Sequence, residues 1–390
     1  MVSTVSYLSL TSGITLTGTV DNASTGTMTY TNQTYDLGTT SGSLTLNNDG
    51  ALTANGNFTV KAGASDDITV NWNETPSISG QYLQETSGTS STVTTNVFDS
   101  LVVGEFQMDV LSGAATASNI LDFDNSGAVV SVTSIDMDVG SDATIVSGNS
   151  NNTTLIFTGS STTDIPIRSS VDYDNIIINN TAGVTLDEGD LDNGNFAGNM
   201  TILSGATLTL NSSHSMDVQD NFSNSGTFND NGSDLTVGGD LTNTSTYNND
   251  GSDITVTGDF SNSGTFSCAS NSNVLQADSF INTGTFEAQM DSIVLSGNFR
   301  NDGSGLFDTS TVNTTIYLED DWINNATFRT KAGDSVVFRG SSAQNIRGTT
   351  SLYTMHLDNS SGATIGSGAF SHCSSLSSIT IPSSVTTIGY

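Results

Sequence analysis

Positive charge is what this 390-residue chain has least of: 7 Lys+Arg stand against 40 Asp+Glu, a formal net charge of −33. Nucleic acid and anionic membrane surfaces are both met through a basic face, so this balance argues against either as a partner. It suits a solvated extracellular surface, cation binding, or a long molecule kept soluble by self-repulsion. Cysteine is scarce as well. Cys268 and Cys373 lie far apart in the chain, which excludes a disulfide framework, and neither has neighbours at metal-ligand spacing. Long apolar runs are missing: a stretch such as Ile176-Ile177-Ile178 is far too short to cross a bilayer, so direct membrane insertion is not expected. The segment from Met1 to Leu8 has no charged n-region and no apolar h-region, so it does not read as a signal peptide. An export signal is expected outside this segment, which reads as a piece of something larger. Helical periodicity is also missing, because apolar residues recur with period two and threonine and β-branched residues dominate.

What the chain does have is repetition. An apolar or aromatic anchor recurs as Phe222, Leu241, Phe260, Phe280, Phe299 and Trp322, in steps of 19, 19, 20, 19 and 23 residues. Two residues after each anchor stands an asparagine: Asn224, Asn243, Asn262, Asn282, Asn301 and Asn324. Aliphatic pairs precede most anchors (Met216/Val218, Leu235/Val237, Ile254/Val256, Ile293/Leu295, Ile316/Leu318), and a second aromatic comes after as Phe228, Tyr247, Phe266, Phe286 or Phe328. The coil ending at Phe280 offers Val274-Leu275 instead, which reads as a bulge. The coil anchored at Phe299 places Leu306-Phe307 late.

A fixed period with fixed internal positions is the mark of a solenoid. The expected fold is all-β, a right-handed parallel β-helix with coils of about 19–23 residues. Stacking would set like residues above like. The six asparagines then form a structural ladder, each amide reaching the coils on either side and each backbone turning a left-handed corner. Residues 1–156 are less regular but carry one clear anchor, Gly56-Asn-Phe58 with Leu52 and Ala54 before it, so the same solenoid is expected there. Residues 157–364 form the regular repeats, and 365–390 change idiom.

A longer repeat overlies the short one. Phe157-Thr-Gly-Ser-Ser161 matches Phe338-Arg-Gly-Ser-Ser342, and Asn180-Thr-Ala-Gly-Val-Thr-Leu186 matches Asn359-Ser-Ser-Gly-Ala-Thr-Ile365. This pattern resembles a segment type of large secreted bacterial surface proteins. The elements Ala369-Phe370, Cys373, Leu376, Ile379, Ile381-Pro382, Val385 and Ile388-Gly389 resemble the start of a BspA-type leucine-rich repeat. That resemblance implies a packing role for Cys373 and an association with adhesion to matrix and cells.

Several groups could carry chemistry. Asp187, Glu188, Asp190 and Asp192 crowd four carboxylates together, and Asp122 with Asp124 opens a partial calcium loop that lacks the late bidentate glutamate. These are the candidate ligands of a structural calcium, with solvated acidity as the alternative. No other cofactor is implied. Asp320-Asp321 followed by Arg329-Thr-Lys331 is similar in outline to the acidic pair and Arg-x-Lys element of the polygalacturonases. The family's Gly-His-Gly is missing, and His214, His356 and His372 lie elsewhere. Five basic residues, Arg300, Arg329, Lys331, Arg339 and Arg347, fall close together in sequence, either as a patch for an anionic glycan or an acidic neighbour or simply to offset local repulsion between carboxylates. The resulting expectation is a non-enzymatic, extracellular, structural or adhesive stalk that presents repeat surfaces to glycans or surface proteins. A carbohydrate-active β-helix enzyme and a self-associating filament subunit are the alternatives.

Overall fold

The structure, a computed structural model, describes residues 8–9, 17–22, 27–30, 33–36, 43–54, 56–63, 66–87, 90–110, 117–123, 125–137, 143–146, 152–165, 171–186, 196–211, 215–269, 273–366, 369, 376 and 378–380. All regular structure among them is β-strand, every strand pairing is parallel, and no helix is long and apolar enough to cross a membrane. The chain is a parallel β-solenoid of stacked coils, divided into two compact units. The first holds residues 1–189 and 193–198, the second 190–192 and 199–390.

In the first unit, one sheet stacks Ser43–Asn48, Asp67–Trp72, Thr92–Val97, Ser118–Asp122 and Ala143–Val146. Another stacks Phe58–Ala62, Pro76–Thr86, Ser100–Val110, Val129–Met137, Thr154–Gly159 and Asn175–Asn180. Most positions paired between neighbouring coils are 24 to 26 residues apart, with 29 between Ser100 and Val129 and 21 between Thr154 and Asn175, so most coils are longer than the 19–23 that the regular repeats suggest. The reason is strand length: Pro76–Thr86 and Ser100–Val110 run 11 residues each. The anchor Phe58 is buried edge-on between Trp72 and Tyr82, at ring distances of 5.3 and 5.1 Å. One coil turns polar side chains inward. Tyr82 and Gln84 both meet the Thr95 hydroxyl, between coils that present Phe58 and Val60 on one side and Phe106 and Met108 on the other. Burial pushes the Tyr82 phenol far up.

The second unit has three strands per coil. One face stacks Met200–Ile202, Phe222–Asn224, Leu241–Asn243, Phe260–Asn262, Phe280–Asn282, Phe299–Asn301, Trp322–Asn324, Gln344–Gly348 and Ala363–Ile365. A second runs from Thr207–Leu210 to Thr327–Arg329, and a third from Met216–Val218 to Ser378–Thr380. Alternation buries the first and third residue of each anchor strand and turns the middle one outward. Two aromatic columns fill the core. Phe266, Phe286, Phe307 and Phe328 stack at 4.3, 5.2 and 5.1 Å with nearly parallel rings, and Phe280, Phe299 and Trp322 stack beside them at 5.6 and 4.0 Å. Rings of the two columns meet edge to face, as at Phe280–Phe286, which satisfies both arrangements that aromatic quadrupoles favour.

Two local expectations change. The stretch before Phe280 is not a bulge: Leu275 pairs with Ile254 and then with Ile293 in unbroken register, and Leu275 and Ala277 take the buried places. The asparagine column is not left-handed either. Among described non-glycine residues only Asn152 and Asn231 have positive φ. The column asparagines lie inside strands, so the corner is turned by the residues after them. At Gly264 an added Cβ would lie 2.1 Å from the Ser245 carbonyl oxygen, so the corner needs glycine for close approach rather than for an unusual φ. The late aromatic, Phe307, nevertheless pairs with Phe286 and Phe328, its delay absorbed by the Gly303 turn.

Candidate functional site

The repeated polar residues build ladders. Asn224 Nδ2 donates to Asn243 Oδ1 at 2.8 Å, and the same bond links 243 to 262, 262 to 282, 282 to 301 and 301 to 324, at 2.8 or 2.9 Å. Each of these Nδ2 groups also donates to a main-chain carbonyl of the neighbouring coil, as Asn262 does to Thr285. All six side chains are buried. The top of the column closes on the Thr349 carbonyl. A strand residue that must reach the next coil and offer both a donor and an acceptor is met by asparagine and little else.

A second ladder runs outside the core, one residue before each anchor. Asn221, Asp240, Asp259, Ser279, Asn298 and Asp321 each accept the main-chain N–H of the next coil, at 2.7 to 3.2 Å. Asp321 receives both the N–H and the Nδ2 of Asn345. Asp234 and Asp253 do the same for the third face. Five surface carboxylates of this unit, Asp234, Asp240, Asp253, Asp259 and Asp321, therefore cap main-chain amides of the next coil.

A third group lies at a buried corner that sequence reading missed. Asp230 Oδ1 accepts the Asp250 and Gly232 N–H groups, and Oδ2 accepts the Ser252 hydroxyl at 2.7 Å. Asn249 donates to Ser252 and accepts from Cys268 Sγ and Asn273 Nδ2. Tyr247 faces Asp230 and Asn249. A carboxylate, hydroxyl, phenol and thiol together suggest reactivity, but each is 2% exposed or less. Their bonds hold one coil on the next. The available signal was Asp230-Asn-Gly-Ser-Asp234 repeated as Asn249-Asp-Gly-Ser-Asp253, a turn spelled twice at one period.

Burial pushes the Asp230 carboxyl above the ordinary aspartate range despite its hydrogen bonds, and burial with the Asp230 charge pushes Tyr247 well up. Elsewhere the Asn325 amide and Arg300 hold Asp302 below its usual range. Burial would raise Asp308, but Ser310 and Arg329 outweigh it. The signs differ in consequence. Stability from Asp230 is fully present below its unfolded pKa and is lost as pH rises through the raised folded value. Stability from Asp302 and Asp308 is present above their unfolded pKa and lost as pH falls through the lowered values. Asp230→Asn keeps an acceptor for the two N–H groups. It should flatten the decline in stability that sets in as pH rises above the ordinary aspartate range, as read from urea midpoints along that rise. An unaltered pH profile would contradict this assignment.

Of the sequence candidates, Asp122 ends the strand Ser118–Asp122, half-buried and in register with Asn96, whose Nδ2 donates to Asn71 in another asparagine ladder. Asp124, Asp187, Glu188, Asp190 and Asp192 lie outside the described residues, as do His214, His372 and Cys373. Among the described residues no cluster of three or more His, Cys, Asp or Glu side chains is arranged to hold a metal ion. Asp321 caps the first face, whereas Arg329 ends a strand of the second and pairs with Asp308 at 3.4 Å. Lys331 donates to the Thr311 carbonyl. The five basic residues do not form one patch: Arg300 and Arg347 are on the first face, Arg329 on the second and Arg339 on the third, where it pairs with Glu319 and lies over Tyr317. Closeness in sequence is distributed around the coil by its three corners. The long-range repeat has matching geometry: Asn180 Nδ2 donates to the Ser161 carbonyl and Asn359 Nδ2 to the Ser342 carbonyl. Of the segment resembling a leucine-rich repeat, Ser378–Thr380 adds a strand to the third face and Ala369 is buried. Comparison with family models, curated proteins and solved structures found no match for this chain.

Proposed function

We propose that this solenoid is a non-enzymatic structural and adhesive stalk of an exported bacterial surface protein, displaying its outer faces to glycans or surface proteins. The observation that carries this reading is the assignment of the repeated polar side chains. Those at fixed positions of the second unit bond to the next coil, so they act as skeleton, and sequence freedom is left to outward positions between them. The acidity of the chain and its resemblance to surface-protein repeats support an extracellular setting. The test is retention of the purified chain on glycan-coated and matrix-coated surfaces, with reducing ends assayed in parallel on the same polysaccharides. Retention without product supports the stalk. Product release abolished by Asp321→Asn would establish the enzyme instead, and retention on no surface would remove the adhesive role.

A further inference from the structure

One outward column of the second unit changes character part-way along its length, from hydroxyl side chains to alternating isoleucine and arginine. Along the first face the middle strand residues run Ser223, Thr242, Ser261 and then Ile281, Arg300, Ile323, Arg347, paired coil to coil without a shift. The buried residues on either side keep the repeat through most of this change, so the substitution is confined to what solvent sees. Arg300 and Arg347 are exposed, and Ile323 between them and Ile281 before them are half-exposed. Two coils separate the arginines, about 10 Å at the spacing of parallel strands. Arg300 bonds to Asp302. Arg347 has no carboxylate partner among the described residues, in a chain where acids outnumber bases 40 to 7. Amide and hydroxyl groups of Asn298, Asn325, Asn345 and Thr349 border the column.

We propose that this column binds an extended, linear, anionic polysaccharide carrying one acidic group per disaccharide. The inference rests on the adhesive reading above and names its ligand class. The face is long but only three strand residues wide, which suits an extended chain better than a globular partner, whose stable interfaces bury far more area. Arginine spacing matches the length of an extended disaccharide, so successive acidic groups can meet Arg300 and Arg347 while the intervening sugar lies on Ile323. Guanidinium groups offer the paired donors that carboxylates accept. The chain's net charge opposes any polyanion. Recognition therefore depends on register, and a polymer with an acid on every sugar would set further carboxylates against Asp302 and Asp321.

Binding of hyaluronan decasaccharide, by calorimetry in low salt, tests this, with polygalacturonate and neutral dextran as comparison ligands. Hyaluronan should bind more tightly than either. Arg347→Gln should weaken it about tenfold or more, Arg347→Lys less, and Arg300→Gln less again because Asp302 already engages that side chain. Lys61→Gln, in the other unit, should leave binding unchanged, and urea midpoints confirm folding of each variant. Equal binding by wild type and Arg347→Gln overturns the proposal, as does tighter binding of polygalacturonate. Concentration-dependent self-association lost in Arg347→Gln would mean that a second copy occupies the face, and also overturns it. Retention on other surfaces with no hyaluronan binding would defeat this assignment while leaving the stalk reading intact.

Discussion

Asn262→Leu should destabilise the second unit by about 3–5 kcal/mol, among the largest effects available to a single substitution in this chain. Its Nδ2 donates to Asn282 Oδ1 and to the Thr285 carbonyl, and its Oδ1 accepts from Asn243. Leucine fills the volume but strands one donor interaction below and two acceptors above, of which the Asn243 amide and the Asn282 oxygen are buried and the Thr285 carbonyl partly so. Buried groups left unpaired cost more than their bonds contribute, because the unfolded chain hydrates them. Asn262→Asp should be comparably harmful at neutral pH and milder in acid, where the protonated carboxyl regains one donor. The control is Asn248→Leu. Asn248 Nδ2 also donates to a neighbouring asparagine, Asn229, at 2.8 Å, but it is exposed, so its loss should cost under about 1 kcal/mol. Tryptophan fluorescence makes the measurement local: Trp72 lies in the first unit and Trp322 in the second, so a Trp72→Phe background reports the second alone. Equal urea shifts for the two asparagine variants would show that burial of the ladder is not what matters.

Phe286→Ala should cost about 3–5 kcal/mol by the same assay. The ring is fully buried, stacked on Phe266 and Phe307 and met edge-on by Phe280 at 4.7 Å. Truncation removes contact with both columns at once. A coil held by neighbours above and below cannot collapse into the vacancy without breaking main-chain pairs on each side. Phe286→Leu retains most of the volume and should cost about 1–1.5 kcal/mol. Phe328, more exposed at 8% and near the end of its stack, should be less sensitive to the same change. A loss under about 1 kcal/mol for Phe286→Ala would mean that the column relaxes freely, contrary to a packed core.

The parts of this fold that could be read in advance are the parts that repeat. A period of 19 residues that recovers an aromatic, an asparagine and an aliphatic pair leaves few architectures open, and the stacked pairing of Phe222, Leu241 and Phe260 is its direct consequence. The asparagines were half legible. The amide ladder between coils is expected from their spacing and is present, but the left-handed corner expected with it is not, because they are strand residues and the corner is turned after them. The acidic residues were harder still. Asp240, Asp259 and Asp321 share the polar position before an anchor, which suggests a turn cap, but the amide that each one caps belongs to the next coil, because a one-dimensional spacing does not show what lies above. Arg300, Arg329, Arg339 and Arg347 looked like one patch for a related reason. Sequence proximity survives along a column but is scattered around the coil, and only Arg300 and Arg347 share a face.

Side-chain amide hydrogen exchange at the six column asparagines tests the account most directly. If the ladder is a continuous, buried, hydrogen-bonded axis, the Nδ2 protons of Asn243, Asn262, Asn282 and Asn301 should exchange as slowly as the core strand amides around them, with Asn224 and Asn324 faster at its ends and Asn248 fast throughout. Exchange of the four central asparagines at the rate of exposed Asn248 would contradict the account.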